Sequence, residues 1–409
     1  MSWMVRGLQH ARAEFVMIAR ETDVNKSEAC RRFGISRKTG YKWLDRYKIS
    51  GLDGLVERSR RPKSNPLQLS GDVVVELVKL HDGHEAWGPK KLRARLKRDG
   101  SCPDNSIPSL ATVARLARRM GWTEAKGRGR PPLPRALPTK PLSTGERPNR
   151  VWTADFKGWW RTGDGRRCEP LTIRDFYSRY ILCLRPMAWR STEAVRQAFI
   201  DTFQRYGLPD IIRSDNGSPF ASITGPAGLT RLSAWWLSLG IRPERTAPGH
   251  PEQNGGHERM HGDIARVIEA KPAATLALEA ERLEYWRVDF NNERPHEALG
   301  MKTPGDVYRR SSRWLSDVKP YSYPARFERR RVQKDGCIQL HGQCVNFSGA
   351  LGEMEVGLEP AGENRWRVWF CDLVVGGLES KNGRTRRCPA AENPPPGNRD
   401  CNPCPDNKV

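Results

Sequence analysis

Three carboxylates lie in segments that a fold could bring together around a metal ion. One of them interrupts an apolar run, and another follows one. Asp155 interrupts the run "VWTADF", and Asp215 follows "DIIRS" and precedes the turn signal Asn-Gly. A buried carboxylate is costly unless it is paired or binds a metal, so Asp155 needs a reason to lie there. Asp215 can be interpreted either as a metal ligand or as an ordinary turn former, because aspartate is common before Asn-Gly turns.

The third carboxylate, Glu258, lies in "GHPEQNGGHERMH", residues 249–261. Apolar residues recur after it at helical spacing, which predicts a helix from about residue 257 with Glu258 near its start. The same letters spell His-Glu-x-x-His, in which His257 and His261 would bind zinc. We disfavour zinc, because a catalytic zinc needs a third protein ligand and the sequence singles none out. Surface or DNA-facing histidines are the plainer interpretation.

The segments around these carboxylates predict an α/β domain over residues 150–312. Three strands are expected in "VWTADFKGW", "CEPLTIRDF" and "RYILCLRPM", followed by the helix "TEAVRQAFIDTFQRYG" and the strand in "LPDIIRSDNG". Three strands, a helix, a strand and further helices describe a mixed sheet flanked by helices. Such sheets usually present ligands at the carboxyl ends of strands, where Asp215 falls.

Charge indicates the partner. The 409 residues carry a formal net charge of +23, and residues 1–150 hold 32 basic against 15 acidic side chains. A localised positive field favours double-stranded DNA as the partner. Without a run of about 18 apolar residues or the apolar core of a signal peptide, we expect an intracellular protein and no membrane. The scattered cysteines indicate reduced thiols, and Cys401 and Cys404 in "CNPC" are only a weak zinc signal.

Residues 1–65 are predicted to form a helix-turn-helix DNA-binding domain. Two short helices would be broken at Gly34, and Ser36 would cap the second. The buried spacing falls on Ala29, Phe33, Ile35, Trp43, Leu44 and Tyr47. The outward face would offer four basic residues to a major groove: Arg37, Lys38, Lys42 and Arg46. A solvated basic helix in an ordinary bundle is the alternative.

Residues 66–122 predict a second helical module of three helices. Ser109 would cap the last of them, with Val113, Leu116 and Met120 turned inward. Three arginines would face outward toward DNA: Arg115, Arg118 and Arg119. A module that only braces the first one is nearly as well supported.

The remaining segments predict a linker, a small β domain and a tail. Residues 123–149 are too rich in Pro and Gly to fold, and Arg128 and Arg130 resemble the minor-groove arginines of an AT-hook, although a plain basic linker is favoured. Residues 319–380 alternate in short runs and predict a small β-barrel of about five strands. Residues 381–409 are polar and Pro-rich and are expected to be disordered.

Taken together, these motifs resemble a known family. "WTADF", "IIRSDNGSPF" and "PGHPEQNGGHERMH" are similar, in this order, to the three catalytic motifs of the retroviral-integrase superfamily of transposases. The match covers about residues 151–308. "FNNERPHEALGMKTPGDVY" and "CRRFGISRKTGYKWL" resemble segments of bacterial insertion-sequence transposases. The resemblance implies an RNase H-like integrase core behind the helix-turn-helix domain.

The resemblance also implies the site. Asp155, Asp215 and Glu258 would be the Asp-Asp-Glu triad, the His-Glu-x-x-His match would be coincidental, and Asn254 would contact DNA beside the site. Three carboxylates suit two Mg²⁺ ions, for which Mn²⁺ may substitute, with Asp155 bridging both. One departure is the 42 residues between Asp215 and Glu258, where the superfamily's pattern implies roughly 35; the loop "ASITGPAGLTRL" can hold the excess.

The implied function is a DNA transposase that binds the ends of its own element as a homo-oligomer. It would cleave the end to expose a 3′-OH and join that hydroxyl to target DNA, in the bacterial cytoplasm at the nucleoid. Two alternatives stay open: a catalytically silent DNA-binding regulator derived from a transposase, and an RNase H-like nuclease that cuts without joining. The sequence does not give the terminal repeat or the target preference.

Overall fold

The computed structural model describes residues 7–57, 69–123, 142–222, 225–247, 250, 253 and 255–388. The chain divides into two compact units, Met1–Leu69 and Ser70–Val409. Five positions singled out in the sequence lie outside the described residues: Arg128, Arg130, Asn254, Cys401 and Cys404. Within the described ranges, no helix combines the length and the apolar character needed to cross a bilayer.

The first unit holds the predicted helix-turn-helix. Its helices are α1 (Leu8–Ala19), α2 (Lys26–Arg32) and α3 (Arg37–Ser50). Gly34 breaks the chain with φ +65°, and the Ser36 hydroxyl accepts a hydrogen bond from the Thr39 amide at 3.2 Å. The turn and the cap are therefore confirmed.

The core of this unit explains why a third helix is present. Ala29 and Trp43 are buried, and the other predicted core positions pack against them while staying partly exposed. Helix α1, which the sequence did not predict, closes the cluster with Phe15, Val16 and Ala19. A two-helix motif needs this third helix to bury its apolar face.

Residues 70–122 form the three expected helices, α4 (Gly71–Gly83), α5 (Pro89–Asp99) and α6 (Leu110–Arg119). Ser109 caps α6 by accepting the Thr112 amide at 3.2 Å. Val113 and Leu116 are buried, as predicted, but Met120 is 47% exposed. The prediction for Met120 was wrong because α6 ends at Arg119 and the helical period stops with it.

The α/β core begins with strands β1 (Val151–Phe156), β2 (Trp160–Arg161), β3 (Arg167–Asp175) and β4 (Ile181–Met187). It continues through α7 (Thr192–Tyr206), β5 (Ile211–Ser214), α8 (Arg231–Ser238), β6 (Arg242–Arg245), α9 (Gly255–Ile264), α10 (Leu276–Asn292) and α11 (Pro304–Val307). Strand β1 lies between β3, antiparallel, and β5, parallel. Strand β4 flanks β3, β6 flanks β5, and β2 pairs with the start of β3. The mixed sheet is confirmed.

Helices cover both faces of this sheet because its strands alternate between two apolar clusters. On one face Trp152 and Ala154 pack with Phe199 of α7 and Trp236 of α8. On the other face Ile264 of α9 and a set from α10 pack against the sheet: Leu283, Trp286 and Phe290. The side chains of β1 that alternate with Trp152 and Ala154 therefore face α9.

The C-terminal region is an open sheet, so the predicted barrel was wrong. Its strands are β7 (Glu328–Arg331), β8 (Cys337–Leu340), β9 (Gln343–Asn346), β10 (Glu355–Pro360), β11 (Arg365–Phe370), β12 (Leu373–Lys381) and β13 (Arg384–Cys388). Five of them pair in the order β13-β12-β11-β10-β7, while β8 and β9 form a separate hairpin. A barrel needs pairing all round, and among the described residues β7 and β13 are unpaired edges.

Strand β13 also lies inside the segment that was predicted to be disordered from residue 381. It pairs antiparallel with β12 through a tight turn at Asn382 and Gly383, both with positive φ. Asn-Gly is the strongest short hairpin signal, and the sequence reading missed it among polar neighbours.

Ion pairs join the second helical module to the core within the second unit. Lys90 binds Glu297 at 2.6 Å and Arg95 binds Glu293 at 2.5 Å. Arg98 donates two hydrogen bonds to the Asp306 carboxylate, at 2.8 and 3.1 Å. Three basic residues of α5 thus form ion pairs with acidic residues of the core, and the outward arginines of α6 remain exposed.

His296, in the turn after α10, makes stability sensitive to acid. Burial, and then the charges of Arg294 and Lys91, lower the pKa of His296 to about 3. The unfolded chain takes up this proton near pH 6.5 and the folded chain does not, so stability falls as pH drops from 6.5 toward 3.

We expect His296→Gln to weaken this acid sensitivity. Between pH 7 and pH 5 the histidine should account for about 2 kcal/mol of lost stability, which the variant avoids. Urea unfolding followed by tryptophan fluorescence at both pH values measures the difference. Equal losses in wild type and variant would show that His296 is protonated in the folded state.

Candidate active site at the carboxyl ends of two strands

The register of the sheet brings two predicted site residues together. Strands β1 and β5 pair in parallel up to Ala154 opposite Ser214. The next residues are Asp155, still within β1, and Asp215, the first residue after β5, so the two aspartates follow the last paired residues of neighbouring strands. Neighbouring strands are about 4.8 Å apart. Asp155 lies on the face that α9 covers, because it alternates with Trp152 and Ala154.

Each aspartate is half-buried and held by a backbone amide. The Asp155 carboxylate accepts the Phe156 amide at 2.8 Å. The Asp215 carboxylate accepts the Gly217 amide at 3.2 Å, in the turn that the sequence signalled. The turn-former interpretation of Asp215 is therefore also satisfied, and a carboxylate has two oxygens that together offer about four acceptor sites.

Helix α9 is fastened to the sheet by His257. Its ring is 1% exposed, and its two nitrogens lie 2.7 Å from the Thr153 hydroxyl of β1 and 3.0 Å from the Thr172 hydroxyl of β3. The interpretation of His257 as a surface or DNA-facing residue was wrong, because the helix turns this face toward the strands. One side chain thus connects α9 to the strand that ends in Asp155.

His261 adds a second connection one turn later. Its Nε2 lies 3.1 Å from the same Thr172 hydroxyl, which in turn donates to the Asp155 carbonyl at 2.9 Å. A hydroxyl has one proton, so both rings must donate N–H to Thr172. The Thr153 hydroxyl lies 2.7 Å from His257 Nε2 and 3.4 Å from the Arg174 carbonyl, and we assign its proton to the shorter contact, in which His257 accepts. This assignment gives neutral rings.

Burial supports the neutral form of both rings. It is the main cause that lowers the pKa of His257 well below its usual range, aided by Arg174, and it lowers the pKa of His261 to about 3. The histidines therefore carry no charge beside the two aspartates at neutral pH.

The same cluster bears on the zinc alternative. Ligand atoms of Asp155, His257 and His261 lie within 4.8 Å of one another, and among the described residues this is the group of three that fits a metal-ligand pattern. The Thr172 hydroxyl already lies at the point on which both ring nitrogens converge. Threonine bonds thus satisfy the histidines without a metal.

Glu258 follows His257 on α9 and is exposed. It lies outside that three-residue group, as does Asp215. The start of the helix is held by Arg174 of β3, a buried residue that donates to the Gly256 carbonyl at 2.6 Å. Glu258 therefore lies on a helix that is bonded to β1 and β3, one position after the histidine that faces the sheet, and its own side chain is exposed.

A buried glutamate directs two arginines toward the site. Glu169 of β3 is 1% exposed and accepts Arg190 Nε at 2.8 Å and Arg167 Nη2 at 2.9 Å. Burial raises the pKa of Glu169, but the bonds from Arg190 and then Arg167 outweigh it and hold that pKa below its usual range. The bond to Glu169, with the negative charges of Asp215 and Asp155, raises the pKa of Arg190. The Arg190 guanidinium lies 4.6 Å from the ring centre of Phe156, the residue that follows Asp155.

Sequence reasoning missed Arg190 and Glu169. The signal for Glu169 was present, since it interrupts the apolar strand "CEPLTI" as Asp155 interrupts its own. Arg190 carried no signal because it follows β4 in a polar turn, and only tertiary packing brings it to Glu169.

The predicted DNA contacts of the helical modules lie on open surfaces where they are described. Arg37, Lys38 and Lys42 are exposed on α3, while Arg46 is partly covered and lies 5.0 Å from the Trp43 ring centre. Arg115, Arg118 and Arg119 are exposed on α6. The first unit and α6 thus each present a basic face.

Family models match both parts of the chain. Two models described as "Integrase core domain" match residues 145–251 and 239–304. A "Helix-turn-helix domain" model matches residues 11–63, and a "Homeodomain-like domain" model matches residues 39–117. The matched ranges contain Asp155, Asp215 and Glu258 and the basic residues of α3, whereas the helical matches end at residue 117, before Arg118 and Arg119.

Curated relatives come from bacteria. The chain is 25% identical over 235 residues to the insertion element IS407 uncharacterized 31.7 kDa protein of Burkholderia multivorans, covering 57% of this chain and 79% of that protein. It is 38% identical over 74 residues to the uncharacterized protein y4oM of Sinorhizobium fredii, covering 18% of this chain and 48% of that protein.

Similar solved structures include the following two chains. One is the HTLV-2 integrase catalytic core domain in complex with magnesium, 17% identical, with a TM-score of 0.32 over 41% of this chain and all of that chain. The other is a chain of the simian T-cell lymphotropic virus intasome in complex with PP2A regulatory subunit B56 gamma, 13% identical, with a TM-score of 0.34 over 73% of this chain and 96% of that chain.

An integrase core domain and helix-turn-helix domains match in one chain, and an integrase core implies the polynucleotidyl transferase class. Together with the insertion-element relative, these matches support an insertion-sequence transposase of the integrase superfamily.

Proposed function

We propose that this protein binds the ends of its own mobile element, cleaves them to expose a 3′-OH and joins that hydroxyl to target DNA. The proposal is carried by one observation, the placement of Asp155 and Asp215 directly after the last residues of β1 and β5 that pair with each other. Phosphoryl transfer needs charge relief at both the attacking and the leaving oxygen, and paired carboxylates can hold the cations that supply it.

The donor set fits a hard divalent cation. Asp155 and Asp215 are half-buried and offer oxygen ligands, and each carboxylate accepts a hydrogen bond from a backbone amide. Glu258 is exposed on the neighbouring helix and would complete the set by turning its side chain inward. Mg²⁺ prefers oxygen ligands and keeps part of its hydration, and Mn²⁺ accepts the same ligands. When bound, the metal would activate the attacking water or hydroxyl and neutralise the leaving oxygen.

The chain's own groups would place the reacting DNA. The aspartates would hold the cation, and α9 is fixed to β1 through His257 and Thr153, so Glu258 would approach from a defined direction. Arg190 supplies positive charge beside the carboxylates, where a phosphate must dock against their negative charge. Because His257 and His261 are neutral and bonded to threonine, we assign them positioning and no proton transfer.

Recognition of DNA would come from the helical modules. Exposed basic residues on α3 and α6 suit element ends, and joining two ends implies a homo-oligomer on DNA. The same proposal places the protein at the nucleoid of the bacterial cytoplasm, where element and target DNA are found.

A strand-transfer assay tests the proposal directly. Purified protein would be incubated with a labelled duplex from the DNA that flanks its reading frame, a plasmid target and Mg²⁺. We expect joined product from wild type and none from Asp215→Asn. Asp201→Asn is the matched control, since Asp201 lies on α7 and bonds Arg185 and Gln197.

The outcomes separate the alternatives. Joined product from wild type and the control alone supports the transposase and the role of Asp215. Cutting without joining would replace it with a nuclease, and tight end binding with neither reaction would indicate the silent regulator. Joining by Asp215→Asn would overturn the assignment of this residue.

A further inference from the structure

Two tryptophans beside the candidate site are unusually exposed. Trp159, four residues beyond Asp155, is 51% exposed, and Trp189, directly before Arg190, is 75% exposed. The chain has fourteen tryptophans, and most of them would be expected to bury their rings, because the indole is the largest apolar side chain. Exposed aromatic rings next to a catalytic centre therefore suggest a binding role.

Arginines accompany the rings. The Arg167 guanidinium lies 4.9 Å from the centre of the Trp159 ring, and that of Arg161 lies 5.8 Å from it. Arg190 lies 4.6 Å from the centre of the Phe156 ring. Rings for stacking beside cations for phosphates are the combination that single-stranded nucleic acid binds.

A series of contacts links Trp159 to Arg190, the residue after Trp189. Trp159 contacts Arg167, Arg167 bonds Glu169, and Glu169 bonds Arg190. Arg190 also lies against Phe156, the neighbour of Asp155. Glu169 is buried and shared by both arginines, so it fixes their positions. The side chains of Arg167 and Arg190 are 36% and 44% exposed, so a phosphate can reach both guanidinium groups.

We propose that Trp159, Trp189, Arg167 and Arg190 form a subsite for unpaired nucleotides at the reacting DNA end. Bases would stack on the indoles, and the backbone phosphates between them would meet the guanidinium groups. Paired bases hide their faces in the duplex stack, so the subsite favours an end whose last pairs have opened. This inference rests on the proposed function, because it assumes that a DNA end reaches the carboxylates.

Binding measurements test the subsite without relying on catalysis. Two probes would be compared by fluorescence anisotropy in Ca²⁺: the element end fully paired, and the same end with three unpaired terminal nucleotides. Stacking contributes about 1–3 kcal/mol per base, so wild type should prefer the opened end by about tenfold. Trp159→Ala and Trp189→Ala should each reduce this preference severalfold, and together abolish it.

Two controls make the result specific. Tyr285→Ala removes another aromatic ring, on α10 and 78% exposed, and should keep the preference. Asp215→Asn should also keep it while losing strand transfer. If both tryptophan variants retain the wild-type preference, the subsite is wrong even where wild type joins DNA. If wild type prefers the opened end but never joins, the subsite stands and the proposed transposition fails.

Strand transfer gives a second readout. The tryptophan variants should be about tenfold slower than wild type on the paired end, because they no longer offset the cost of opening it. On the end that is already opened by mismatches, this defect should shrink. An equal defect on both ends would assign the tryptophans to general structure and would contradict the subsite.

Discussion

Asp155→Cys should abolish strand transfer in Mg²⁺ and leave measurable strand transfer in Mn²⁺. Asp155 is the penultimate residue of β1 and faces α9, and it follows the last residue of β1 that pairs with β5, so it would hold the cation together with Asp215. A thiolate is a poor ligand for hard Mg²⁺, whereas the softer Mn²⁺ accepts sulfur more readily. Loss of a metal ligand removes several kcal/mol of charge stabilisation, so we expect a decrease of at least about 10³-fold in Mg²⁺.

The measurement is the rate of joined product for wild type and variant in each metal. Asp201→Cys, on the outer helix α7, is the control for the effect of a new thiol and should behave like wild type in both metals. Undiminished activity of Asp155→Cys in Mg²⁺ would exclude Asp155 from the metal site. Equal inactivity in both metals would favour a structural role for Asp155 over a ligand role.

Gly256→Ala should lower strand transfer by about 10²-fold. An added Cβ at Gly256 would overlap the guanidinium of Arg174, 2.6 Å from its Cζ. Arg174 is 3% exposed and donates to the Gly256 carbonyl, so it cannot swing away without losing this bond inside the protein. The start of α9 must move instead, and a shift of about 1 Å at a catalytic group costs about 10²-fold in rate. Overpacking should also cost about 1–3 kcal/mol of stability.

The neighbouring glycine provides a matched control. A Cβ at Gly255 would meet nothing within 4 Å, so Gly255→Ala adds the same methyl group one position earlier in open space. We expect wild-type strand transfer and unchanged or slightly higher thermal stability, because alanine favours helix. Equal activity of the two variants, measured beside their melting temperatures, would show that the position of α9 is not fixed through Arg174.

The sequence predicted much of the sheet and its pair of aspartates. The order of the strands and the helix α7 follow from apolar period and caps, which are local properties. Asp155 could be singled out because a carboxylate in an apolar strand needs a partner. The parallel pairing of β1 with β5, which places Asp215 beside it, is consistent with the α/β pattern but is not fixed by either strand alone.

Other features depended on contacts distant in sequence. His257 lies in a motif that suggested either zinc or the surface, and only packing against Thr153 and Thr172 gives its bonds. Closure of the C-terminal strands depends on long-range register, which short alternating runs do not specify. The hairpin at Asn382 and Gly383 is a different failure, because its signal is local and was present in the sequence.

The ion pairs between α5 and the core fix the distance between α6 and the candidate active site within the second unit. Lys90, Arg95 and Arg98 bind Glu297, Glu293 and Asp306, so α6 and the carboxylates of the core belong to one compact body. A duplex that touched the arginines of α6 and also reached Asp155 would span a distance fixed by folded protein. The cut would then fall a constant number of base pairs from the sequence that α6 contacts, and inserting pairs between them would misplace it.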